Sequence, residues 1–176
     1  GDITSDDDST IRSNNASITI KNDYGNITLY SNEITARTDI IITANGGVPM
    51  ITIGDDANDK MTATTGAIDV DTSGNVIITG ATLEAVAPGA DIMLNAGAGM
   101  ALNNATVTGD RNVWLHTTGW DGTYTGNITF TNSKVTSNNG NVDVYAQYNG
   151  PTHADFSSEI TMDGNSSITA TAGRVT

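Results

Sequence analysis

A short signature recurs along the chain, and a recurring signature constrains the fold more than any single motif. Gly25-Asn26-Ile27-Thr28-Leu29, Gly74-Asn75-Val76-Ile77-Ile78, Arg111-Asn112-Val113-Trp114-Leu115, Gly126-Asn127-Ile128-Thr129-Phe130 and Gly140-Asn141-Val142-Asp143-Val144 share a turn pair followed by apolar, any, apolar. Looser copies begin at Thr38, Ala90, Ser158 and Gly173. The two apolar residues are two positions apart, so they face the same side of a strand. A weaker strand follows most copies, as at Glu33–Ala36, Ala81–Ala85, Ala105–Thr108, Lys134–Ser137 and Ser167–Ala170. Helical periodicity is absent, and Pro49, Pro88 and Pro151 fall in loop-like stretches.

These readings predict an all-β chain. A sandwich of hairpins would not repeat one signature, whereas a parallel β-solenoid must, because each coil lays the same strand over its predecessor. The expectation is a β-solenoid of about eight irregular coils, each about 15 to 22 residues, forming a single domain over residues 1–176. The expected core is Ile27, Leu29, Ile34, Ile40, Ile42, Ile51, Ile53, Ile68, Val70, Val76, Ile78, Leu83, Ile92, Leu94, Leu102, Val107, Val113, Leu115, Ile128, Phe130, Val135, Val142, Val144, Ile160, Met162 and Ile168. Composition agrees: Thr is a strand former, and Gly and Asn supply corners. Aromatic residues make up only 5%, as suits a narrow aliphatic interior.

Segments 81–97 and 126–144 resemble the repeats of filamentous-haemagglutinin-type exoproteins, and autotransporter passenger domains read much the same. The resemblance lies in the alternation of a Gly-Asn/Asp-hydrophobic strand with a Thr-hydrophobic-Thr-Ala strand. It implies a right-handed parallel β-helix, a rod on a bacterial cell surface, and no catalysis by the repeats. It offers no site motif to transfer, and the loops around 117–125 and 145–158 depart from its rhythm. Gly1-Asp2-Ile3-Thr4 has the same form as Gly173-Arg174-Val175-Thr176. This suggests that the chain is a segment of a longer rod, or that copies stack end to end into a filament.

Charge narrows the partners. Asp and Glu number 20 against 7 Lys and Arg, a formal charge of −13, which disfavours nucleic acid. No apolar run is long enough for a membrane-spanning helix. Without cysteine there are no disulfides, thiolate metal sites or thiol nucleophiles. His116 and His153 are the only histidines, and neither a Gly-x-Ser-x-Gly elbow nor a phosphate loop is present. The expectation is therefore a noncatalytic extracellular structural or adhesive protein. The alternative is a carbohydrate-binding or polysaccharide-processing β-helix, with Asp69, Asp71 and Asp91 able to converge from neighbouring coils.

Three kinds of candidate site remain. Trp120, Tyr124 and Tyr148 lie in Gly- and Thr-rich sequence and, with His153, form the candidate glycan-contact patch. Asp69, Asp71 and Ser73 precede Gly74 with the alternating oxygen ligands of a calcium loop, but the terminal bidentate Glu is missing, since the twelfth position is Gly80. No other cofactor is implied. Asn26 and Asn127 begin Asn-x-Thr sequons at equivalent places in the repeat, which makes them the glycosylation candidates. Thr-x-Thr pairs such as 106/108 and 129/131 lack the constant spacing that a lattice-matching ice face would need.

Overall fold

Most of the described strands obey the alternation read from the sequence, with one set of side chains turned inward and the other to solvent. The computed structural model describes residues 1–6, 8–30, 33–119, 125–149 and 158–176. Among these are twenty strands and no helix. Sheet A contains β1 (Ile3–Ser5), β4 (Ile27–Leu29), β7 (Met50–Ile53), β10 (Asn75–Thr79), β13 (Gly99–Asn103), β16 (Ile128–Thr131) and β19 (Ile160–Met162). Sheet B contains β2 (Thr10–Ser13), β5 (Glu33–Ala36), β8 (Lys60–Ala63), β11 (Thr82–Ala85), β14 (Thr106–Gly109), β17 (Lys134–Ser137) and β20 (Ser167–Ala170). Sheet C contains β3 (Ile18–Asn22), β6 (Ile40–Ala44), β9 (Ile68–Thr72), β12 (Ile92–Ala96), β15 (Val113–Gly119) and β18 (Val142–Tyr148).

Within each sheet every strand pairs in parallel with the strand three places along the chain, so the chain winds as a three-sided β-solenoid. The register stacks like on like. Sheet A carries Ile3, Ile27, Ile51, Val76, Met100, Ile128 and Ile160 in one interior column. Sheet C carries Ile18, Ile40, Ile68, Ile92, Val113 and Val142 in another. These columns merge into one continuous aliphatic core, with Phe130 its one large ring among the described residues. At roughly 1.5–3 kcal/mol per fully buried aliphatic side chain, such columns hold the fold without cross-links.

The coils are fewer and longer than the expected eight of about 15 to 22 residues. Equivalent positions lie 21 residues apart between Asp91 and Asn112, 24 between Asn26 and Met50, and 33 between Asn141 and Arg174. The recurring signature is used twice per coil, which explains the difference. Gly25-Asn26, Gly74-Asn75 and Gly126-Asn127 lead into sheet A, whereas Arg111-Asn112 and Gly140-Asn141 lead into sheet C. Likewise Ile3 opens sheet A, while Val175 bridges to Val142 in sheet C, so the two similar end segments occupy different sides of the coil.

The signature has a physical cause. The Asn26 side-chain oxygen accepts the N–H of Met50 on the next coil at 2.8 Å, and Asn127, Asn112 and Asn141 do the same for Glu159, Asn141 and Arg174. Each corner thereby satisfies a backbone donor that the short strand leaves open. The preceding Gly is required by close packing: a Cβ on Gly74 would lie 1.8 Å from the Pro49 carbonyl oxygen. The corner between sheets A and B uses a left-handed residue instead, Gly54, Gly80, Asn104 and Asn132 in successive coils. Asn132 donates its side-chain amide to Asn104 there, at 2.7 Å.

Most of the expected core is buried. The exceptions lie late in the chain: Ile160 and Met162 are 47% and 49% exposed, and Val144 and Ile168 are only partly covered. Small inward residues were not anticipated. Ala36, Ala63, Ala85, Gly109, Ser137 and Ala170 stack at the end of sheet B, where the chain turns too tightly for a larger side chain.

Candidate functional site

The outward positions of sheet C concentrate chemistry that the other two faces lack. Lys21, Thr43, Asp71, Asn95, His116 and Tyr145 form one outward column by register, and Thr19, Ile41, Asp69, Met93, Trp114 and Asp143 form the next. Neighbouring strands are about 4.8 Å apart, so side chains distant in sequence become direct neighbours.

His116 Nε2 lies 3.3 Å from the Asp143 carboxylate, on the adjacent strand and diagonally across the two columns. The Tyr145 ring stands edge-on to the His116 imidazole at 5.8 Å between centroids and is 48% exposed. A shallow groove is lined by His116, Asn95, Asp71, Ser73, Thr118 and Asn149. Partial burial and the neighbouring Asp71 charge both push the Asp69 carboxyl above its ordinary range. The groove thus offers an imidazole, a carboxylate and amides able to hydrogen-bond to a sugar, with the Tyr145 ring next to His116 in the same outward column.

Of the proposed glycan-contact residues, Tyr148 ends β18, half-buried and paired in register with Gly119. Trp120, Tyr124 and His153 lie outside the described residues. The sequence reading missed His116, Asp143, Tyr145 and Asn95 as a group. Their outward position in each strand was legible, but their adjacency depends on the coil register.

Asp69 and Asp71 lie on the straight strand β9, both on its outward face, and Ser73 follows at the corner, donating to the Gly47 carbonyl at 3.3 Å. Three other carboxylates do converge, those of Asp55, Asp56 and Asp59. Asp91 is held by two guanidinium nitrogens of Arg111, Nε and Nη2, and by the Asn112 N–H at 2.9 Å. Burial raises the Asp91 carboxyl, but the Arg111 hydrogen bond, the Asn112 N–H and the Arg111 charge outweigh it, leaving it below the usual carboxylate range. Asp91 is therefore a corner brace and does not face the groove column. Asn26 is half-buried and Asn127 exposed, each with its side-chain oxygen committed to the next coil.

No family model, curated protein or solved structure matches this chain.

Proposed function

We propose that the chain is a noncatalytic segment of an extracellular bacterial surface rod or filament, whose last coil receives a further coil from flanking sequence or a neighbouring copy. The observation that carries this reading is the last coil itself. Ile160, Met162 and Val175 stand in columns whose earlier members are buried, yet each is about half exposed. A strand docked beyond them would cover the apolar side chains and pair the open backbone edge. The role is mechanical: inter-coil hydrogen bonds and aliphatic columns give stiffness, and the outward Thr and Asn faces meet water. The resemblance to filamentous-haemagglutinin-type repeats supports the location, and the surplus of negative charge would keep neighbouring rods apart. Antibodies raised against the chain should label rods on intact cells; labelling only after permeabilisation would refute the location.

The groove on sheet C favours a second reading, carbohydrate binding or processing. Its test is a glycan array, on which binding that is lost with both Tyr145→Ala and Trp120→Ala would replace the purely structural role with recognition.

A further inference from the structure

The corner from Gly54 to Asp59, between β7 and β8, brings three acidic side chains together where the core gives them no counter-charge. Gly54 takes a φ of +74° to turn the chain. The Asp55 N–H then donates to Asp59 Oδ2 at 2.9 Å, and the Asn58 N–H donates to Asp56 Oδ1 at 2.7 Å. The next coil fixes the corner from above, since a Cβ on Gly80 would sit 2.4 Å from the Asp56 carbonyl oxygen. One carboxylate oxygen from each of Asp55, Asp56 and Asp59 lies within 4.8 Å of the others. Two oxygens on one calcium ion are separated by at most about 5 Å, twice the metal–oxygen distance.

A second observation points to a ligand. Asp59 is only 3% exposed, and its Oδ1 is buried with no hydrogen-bond partner. An orphaned carboxylate oxygen is costly, and no ion pair among the described residues relieves it. Lys60, next in sequence, pairs with Glu84 at 2.8 Å on sheet B. We propose that Asp55, Asp56 and Asp59 bind a divalent cation of calcium size, which completes the coordination of Asp59 Oδ1 and fastens the corner between sheets A and B.

Calorimetric titration of the intact protein with calcium at neutral pH, paired with thermal unfolding, tests this. The expected result is one calcium per chain and a Tm raised by about 5–10 °C at a hundred times Kd. Asp59→Asn should abolish both. Asp56→Asn, at an exposed position, should weaken binding at least about tenfold, the equivalent of 1.4 kcal/mol, while leaving Tm in EDTA unchanged. Asp71→Asn, on sheet C, should bind as the native protein does. Absence of heat and of a Tm shift above about 1 mM calcium would overturn the proposal. So would binding that survives Asp59→Asn, or calcium indifference combined with an Asp59→Asn variant more stable than the native protein, which would mean that the cluster shares a proton.

Discussion

The first and last coils end some of the interior columns with opposite chemistry, while others are apolar at both ends, as with Ile3 and Ile160 or Ile11 and Ile168. At the first coil the inward positions beside Leu29, Ala36 and Ala44 are Ser5, Ser13 and Asn22. Asn22 is satisfied there: its side-chain amide donates to the Gly1 and Asn26 carbonyls at 2.9 and 3.0 Å, and its oxygen accepts the Tyr24 N–H. At the last coil the columns that began with Ser5 and Ser13 end in Met162 below Phe130 and Ala170 below Ser137. Polar inward residues suit a solenoid end that faces water, and apolar ones suit an end that receives another coil. The contrast shows that burial here belongs to a residue's place in the stack as much as to its identity.

The largest test of that contrast compares two members of one column. Leu102 is fully buried in β13, so Leu102→Ala should cost about 2–5 kcal/mol in chemical unfolding. Met162→Ala, two strands further along, should cost less than about 1 kcal/mol in dilute solution. An equal cost would mean that the last coil is already covered.

Glycine corners give the next effect. Gly74→Ala must displace the Pro49 backbone and should cost about 1–3 kcal/mol. Gly164, with nothing within 4 Å of a new Cβ, should accept Ala within about 0.5 kcal/mol.

Arg111→Ala removes the cation bracing Asp91 and should lower Tm modestly at neutral pH. The Asp91 carboxyl is depressed in the folded state, so its contribution is present above the ordinary carboxylate pKa and lost as pH falls through the depressed one. The gap between native protein and variant should therefore close in acid, which a series of melts across pH would show. Smallest among these, Asn26→Ala should cost about 1 kcal/mol by leaving the Met50 N–H without its acceptor. An equivalent loss at Asn127, whose acceptor serves the later coil, would show that the corner works alike in both regions.

The strands and their inward faces were legible because the alternation at Ile27 and Leu29, or at Val113 and Leu115, is local. The number of strands per coil was not, since one signature serves two corners and nothing near Asn112 distinguishes its sheet from that of Asn75. The alanine column was missed although Ala63 and Ala85 follow Met61 and Leu83 by the same alternation, because a small side chain at a strand end gives little apolar signal. The groove at His116 and the Asp55, Asp56 and Asp59 cluster differ in the same way. The cluster is visible as a run of acids, while its orphaned oxygen and the His116–Asp143 contact come from packing alone.

Cryo-electron microscopy of the native material tests the central claim most directly. Seven stacked strands at about 4.8 Å span only about 35 Å. The account predicts continuous rods longer than this, with the about 4.8 Å spacing running along the rod axis and density seated on Ile160, Met162 and Val175. Isolated particles of one chain's length, with that apolar end open to solvent, would contradict it.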